Sequence, residues 1–301
     1  MINGGRELIG FAGTGAMGSL MVQRLRGAGF EVLIFDADQG RAQAVAESSG
    51  ARTVANLAGL TEAAVVICML PSSAVVDEVV GGPGGLIEQL RPGSLIVDMG
   101  SSDPEHTIRL ATVASDRGIS LMDAPVSGGI ARAGTGQLTI MAAGDVADLE
   151  RVRGPLEAIG TEIVHVGPAG SGHALKALNN LLSAIGLTAA TEVLEAGRRF
   201  GLDPHLMMRV INTSTGRNHA TETKIEQHVL SEAFASGFLL RLMLKDITTA
   251  ISIARSQSVA TPLGDACLSA WLRMAQLSDP DADQTEIAKL PRQTAPGMPS
   301  R

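Results

Sequence analysis

Three stretches of the chain hold residue types whose spacing could do chemistry. The first is Gly13-Thr14-Gly15-Ala16-Met17-Gly18, lying between an apolar run at 8–12 and a helical pattern at 16–28. Gly13 permits a tight turn, Gly15 lets the backbone approach a pyrophosphate, and Gly18 lets helix and strand pack closely, while the helix start offers N–H groups to an anion. Asp36 closes the second apolar run, near the spacing of about 20 residues at which an acid meets the ribose hydroxyls of a dinucleotide. A carboxylate there can accept both hydroxyls and would repel the extra phosphate of NADP, and Ala37 rather than an arginine follows it, so the pair points to NAD. Arg41, one helical turn on, keeps NADP open or is a solvated helix charge. Leu70-Pro71-Ser72 ends a later strand and either borders the adenosine side of the same crevice or is a strand stopped by proline.

The second stretch is Asp123-Ala124-Pro125-Val126-Ser127-Gly128-Gly129, where a strand breaks into a serine and paired glycines. Backbone N–H groups and one hydroxyl suit a carboxylate, and a plain tight turn explains the pattern equally. The third is Gly170-Ser171-Gly172-His173-Ala174-Leu175-Lys176-Ala177-Leu178-Asn179-Asn180, in which Lys176 and Asn180 are one helical turn apart among Ala and Leu. Burial favours the neutral form of a lysine and suits it to exchange a proton near neutrality, while a neighbouring amide holds a substrate oxygen without adding charge. Taken alone, such a lysine is better read as a snorkelling side chain. His173, three residues before Lys176, is the other base near this helix. His106, His205, His219 and His228 show no evident partner, and His165 reads as a packing residue in a strand. Cys68 and Cys267 read as core residues, no metal-ligand spacing is present, and a chain with no tyrosine excludes every chemistry that needs a catalytic phenol.

The elements that must position these groups divide into two halves. Apolar runs at 8–12, 32–36, 64–70, 94–99, 121–124, 138–142 and 163–166 alternate with helical patterns such as 16–28, 40–48, 72–80 and 104–117. This alternation predicts a mainly parallel, doubly wound α/β sheet of Rossmann type. Residues 81–85, four glycines around Pro83, read as a surface loop. Beyond Gly172 the pattern becomes all helical, beginning with a long connecting helix at 173–200 that Gly201 stops, then 205–211 behind an Asp203 cap and Pro204, 221–229, 239–257 and 262–275. The expected organisation is a dinucleotide-binding domain at 1–167, an all-α substrate and dimerisation domain at 168–290 and a disordered tail at 291–301.

Composition agrees with a globular enzyme: 301 residues, 45% hydrophobic and 18% charged, can bury a substantial two-domain core. A net charge of -7 argues against a nucleic-acid surface. The stretch 177–191 is interrupted by Asn179, Asn180, Ser183 and Gly186 and falls short of the roughly 18 apolar residues of a membrane span. With no secretory signal pattern at the start, a cytoplasmic protein is expected.

Taken together these motifs resemble the β-hydroxyacid dehydrogenases, the family of 3-hydroxyisobutyrate dehydrogenase, tartronate semialdehyde reductase and, more distantly, 6-phosphogluconate dehydrogenase. The resemblance runs to about Leu290 and rests on Phe11 to Gly18, Met69-Leu70-Pro71, Asp123 to Gly129, the Gly172-x3-Lys176-x3-Asn180 helix, Ser214-Thr215-Gly216-Arg217 and Leu244-Lys245-Asp246. It implies an NAD(P)-dependent oxidoreductase acting on a small carboxylate-bearing 3-hydroxy acid or its semialdehyde, assembled as a homodimer or homotetramer. It also implies Lys176 as general acid/base, and Ser127, Gly128, Gly129, Asn180 and Phe238 around the substrate. The implied cofactor contacts are Gly13 to Gly18, Asp36, Leu70, Pro71, Ser101 and Lys245, with no metal. Asp246 would fix its own helix, and Arg217 would meet either a substrate carboxylate or a second subunit. Imine reductases, non-catalytic dinucleotide-binding relatives and ketopantoate reductase share parts of this architecture. In the first two the resemblance implies a different residue in place of Lys176, and the third lacks the Asp123 to Gly129 stretch.

Overall fold

The computed structural model describes residues 8–293, and contacts divide the chain into two compact units between Lys176 and Ala177. The N-terminal unit contains β1 (Leu8–Ala12), α1 (Ala16–Gly27), β2 (Glu31–Phe35), α2 (Gln39–Ser49), β3 (Arg52–Thr53), β4 (Val65–Cys68), α3 (Ser73–Val76), α4 (Leu86–Gln89), β5 (Leu95–Asp98) and α5 (Pro104–Ser115). It continues with β6 (Ser120–Asp123), β7 (Val126–Ser127), α6 (Gly129–Thr135), β8 (Leu138–Ala143), α7 (Val146–Ile159) and β9 (Gly160–Gly167).

All nine strands join one sheet in the order β3-β2-β1-β4-β5-β6-β8-β7, with β9 paired to β8. Pairing is parallel from β3 through β6, whereas β8 runs antiparallel to β6 and β7. The chain leaves β1 toward β2 on one side and returns to β4 on the other, which makes the carboxyl ends of β1 and β4 the switch point where such sheets bind ligands. Alternation along each strand sends Ile9, Phe11, Val32, Ile34, Ile67 and Val97 into one core with α1, α2 and α7, and Leu33, Val66, Cys68 and Ile96 into the other with α5. Both faces are therefore buried, as a parallel sheet requires, and Phe11 is fully enclosed, where truncation to alanine costs about 3–5 kcal/mol.

The structure differs from the sequence reading in several places. The helix expected over 72–80 is α3 followed by a π-helical turn, Asp77–Gly81, and that over 221–229 is a short helix followed by a second π-turn, Ile225–Leu230. At the second junction Lys224 is buried, donating to Gln284 Oε1 at 3.2 Å and Ser183 Oγ at 3.4 Å, and an extra residue per turn re-aims side chains in just this way. The last strand starts at Gly160, three residues before the apolar run, because only a glycine lets the chain lie against the Leu138 carbonyl, 2.7 Å from where a Cβ would stand. His165 is exposed rather than packed, since its strand is the outer partner of β8. His106 does have a partner, the Asp77 carboxylate on the π-turn.

The C-terminal unit is helical. Helix α8 (Ser171–Phe200) contains the division between the units, and α9 (Pro204–Asn212), α10 (His219–Thr223), α11 (Leu240–Ser256) and α12 (Pro262–Leu277) follow. Asp203 caps α9 by accepting from Leu206 N–H at 2.8 Å, with Pro204 in the first turn as the sequence predicts. The stripe Ala177, Leu181, Ala184, Leu187, Leu194 of α8 packs with Met243, Ile247, Ile251 and Trp271, whose indole donates to Thr188 Oγ1 at 2.9 Å. By length and mean hydropathy α8 as a whole could cross a membrane, contrary to the count over 177–191 alone, but this stripe is the core face of an amphipathic helix. Pro291, Arg292 and Gln293 form a turn held by an Arg292–Glu232 ion pair, and the rest of the expected disordered tail lies outside the described residues.

Candidate active site

The glycine turn follows β1 because Gly13 takes a φ of 95°, a conformation that favours glycine, and its N–H donates to the Phe35 carbonyl at 2.9 Å. A Cβ on Gly13 would meet the Met69 carbonyl at 2.4 Å, and one on Gly18 would meet the Gly13 carbonyl at 2.0 Å, so β1, β4 and α1 close tightly round the turn. At Gly15 the opposite holds: a Cβ there would meet nothing within 4 Å, and Gly15 is the N-cap of α1 with no side-chain capping hydrogen bond. An open helix N-terminus with its N–H groups uncapped is a cradle for a diphosphate, so these residues fit a nicotinamide dinucleotide. Ala16 is exposed and Met17 half-buried beside it.

Thr14 is 1% exposed, and its N–H and hydroxyl both donate to Asp36 Oδ2, at 2.7 and 2.9 Å. Asp36 Oδ1 accepts from Asp38 N–H at 2.9 Å and lies 3.7 Å from Arg41 Nη1. Asp36 thus binds the glycine turn to the end of β2, and one lone-pair site on Oδ1 is left where the sequence suggested room for both ribose hydroxyls. Arg41 also pairs with Asp38 at 3.3 Å. Leu70 and Pro71 follow β4 and Ser101 follows β5, all on the carboxyl edge of the sheet. Ser127 ends β7 opposite Thr139, and Gly128 and Gly129, both exposed and at positive φ, turn the chain into α6, a helix absent from the sequence reading.

Lys176 is half-buried at the last position of the same unit, in the second turn of α8. The helix start is held by Asp123, which accepts from the N–H groups of Gly170 at 2.6 Å and His173 at 2.8 Å. Burial pushes the Asp123 carboxyl above its ordinary range, against the pull of His173 and of the two N–H donors. His173 is 1% exposed, too deep to touch a substrate.

Within the C-terminal unit, Asp246 on α11 is 2% exposed and accepts from Asn180 Nδ2 at 2.6 Å, while its other oxygen lies 3.4 Å from Lys245 Nζ. Asp246 therefore orients Asn180 and Lys245 together, a role wider than fixing its own helix; the adjacency to Lys245 was visible in the sequence and the partner Asn180, 66 residues away, was not. The Asn180 amide keeps a second N–H. Phe238 is half-buried against the helical core, and Arg217 lies 3.6 Å from Glu222. The paired acids Asp98 and Asp123 also escaped the sequence reading as a unit, and the available signal was an aspartate ending each of two adjacent strands.

A doubly wound sheet with a glycine-rich first turn defines the dinucleotide-binding class of α/β proteins. Residues 8–167 match the family model described as the NAD binding domain of 6-phosphogluconate dehydrogenase, and residues 170–291 match that described as NAD-binding of NADP-dependent 3-hydroxyisobutyrate dehydrogenase. The chain is 38% identical to 2-(hydroxymethyl)glutarate dehydrogenase of Eubacterium barkeri, covering 85% of each chain. It is 32% identical to the NAD-dependent L-serine dehydrogenase of Pseudomonas aeruginosa, covering 94% of this chain and 97% of that one. Among solved structures, 3-hydroxyisobutyrate dehydrogenase of Mycobacterium tuberculosis with L-serine superposes with a TM-score of 0.88 at 29% identity, over 96% of this chain and 100% of that one. The chain belongs to the β-hydroxyacid dehydrogenase family. It is an oxidoreductase of hydroxy acids that uses NAD or NADP.

Proposed function

We propose that the protein interconverts a small 3-hydroxy carboxylate and its semialdehyde, with Lys176 as general acid/base and NAD the preferred cofactor. The observation that carries this reading is the pairing on α8 of Lys176 with Asn180, one turn apart, the amide being oriented by buried Asp246. When bound, the nicotinamide ring supplies the hydride acceptor for the carbon that bears the hydroxyl. In the oxidative direction the Lys176 amine takes the hydroxyl proton, and in the reductive direction its ammonium returns it. The free N–H of Asn180 holds the reacting oxygen, and the Ser127 hydroxyl with the N–H groups of Gly128 and Gly129 holds the carboxylate. Gly13 to Gly18, Asp36, Leu70, Pro71, Ser101 and Lys245 are assigned to the cofactor, and Phe238 to the substrate. Arg217 is assigned to neither substrate nor interface.

Exposed Leu175, Leu178, Leu182 and Val193 on α8, outside its core stripe, support a homodimer or a larger even assembly. A panel of 3-hydroxy carboxylates, cyclic imines and cofactor alone tests the reading, each with NAD and NADP. The expected result is turnover of hydroxy acids; turnover of imines only, or cofactor binding without turnover, contradicts it.

A further inference from the structure

One turn before Lys176, His173 is buried against the carboxyl ends of β5 and β6. Asp98 and Asp123 are cross-strand partners there and are 2% and 0% exposed, so two carboxylates stand side by side in the interior. The His173 ring stands between them, with Nε2 3.8 Å from Asp98 Oδ2 and Nδ1 3.7 Å from Asp123 Oδ2. Asp98 is held in turn by the Ser102 hydroxyl at 2.7 Å and the Gly100 N–H at 2.9 Å. Cys68, the neighbour of Asp98 on β4, is a buried thiol pushed up by burial and by that acid, and so adds no charge.

The Thr107 hydroxyl stands 2.8 Å from His173 Nδ1 and 3.1 Å from the Asp103 carbonyl, and so ties the ring to the start of α5. Nε2 has no hydrogen-bond partner among the described residues and faces Asp98. Little slack remains at this helix start, because a Cβ on Gly172 would stand 2.4 Å from the Met141 carbonyl and 2.8 Å from Asp123 Oδ2.

We propose that His173 is a positioning residue for Lys176: packed between Asp98 and Asp123 and anchored on Thr107, it fixes the first turn of α8 to the strand ends and thereby sets where the Lys176 amine stands. The proposal rests on Lys176 being the acid/base group. Misplacing a reacting group by about 1 Å can cost on the order of 100-fold in rate, so a loss of kcat with little change in binding is the signature. Steady-state kinetics and cofactor titration on His173→Gln, Thr107→Val and Thr107→Ser, with His173→Gln repeated on Lys176→Ala, test it. His173→Gln and Thr107→Val are expected to lower kcat by about 10- to 100-fold with KM and cofactor Kd within about threefold, and Thr107→Ser to restore it. On the Lys176→Ala background His173→Gln should leave the residual rate unchanged, because a residue acting through Lys176 has nothing left to position. Unchanged kcat in both His173→Gln and Thr107→Val, or a full further loss on Lys176→Ala, overturns the proposal while leaving the reading of Lys176 intact. Retained turnover in Lys176→Ala itself overturns that reading and this proposal with it.

Discussion

Three of the four lone-pair sites of Asp36 are taken inside the fold, two by Thr14 and one by Asp38, so this carboxylate holds the glycine turn in place. Its charge still repels a phosphate at the same place. Arg41 is already shared between Asp36 and Asp38 at 3.7 and 3.3 Å, which reduces what it offers to NADP. Wild-type kcat/KM is therefore expected to be about tenfold or more higher with NAD, a difference of about 1.4 kcal/mol. Arg41→Ala should widen the gap by lowering the NADP value alone. Initial rates with both cofactors check this, and a higher value for NADP contradicts it.

At the scale of elements, α8 carries Lys176 near one end and a charged clamp near the other. Glu195 is 6% exposed and accepts from Arg198 Nε at 2.9 Å and Nη2 at 3.0 Å and from Arg199 Nε at 2.7 Å. The Arg198 hydrogen bond above all, with Arg199, holds the carboxyl below its ordinary range against the opposing effect of burial. A carboxyl lowered by folding stabilises above its unfolded-state value and loses that contribution as pH falls through its folded one. Because both arginines are about half exposed, the clamp contributes only about 1 kcal/mol. Glu195→Gln should lower unfolding stability by about that amount at pH 7, with the two proteins converging below about pH 4. Denaturant melts across pH check it, and a constant difference down to acid contradicts it. The elements themselves were largely legible: the glycine spacing, the alternating runs and the Asp203-Pro204 cap each lie within a few residues of one another. The π-turns, the early start of β9 at Gly160 and the Asp98–Asp123 pair were not, because each depends on a neighbour brought close by register rather than by sequence. For the same reason the candidate residues could be named but Asp246, which orients Asn180, could not be given its partner.

For the molecule as a whole, the exposed leucines of α8 point to association. Leu182 is 72% exposed, and Leu182→Glu should yield a monomer in sedimentation at micromolar concentration where the wild type is a dimer or larger. A wild type already monomeric under those conditions contradicts the assembly. The central claim concerns Lys176, which should move the hydroxyl proton while Gly13 to Gly18 and Asp36 hold the cofactor. General acid/base catalysis is worth about 10²- to 10⁴-fold, so kcat of Lys176→Ala should fall by at least that range, while its dissociation constant for the reduced cofactor, read by nicotinamide fluorescence, stays within about twofold of wild type. Retained kcat, or a loss of turnover matched by an equal loss of cofactor binding, would contradict it.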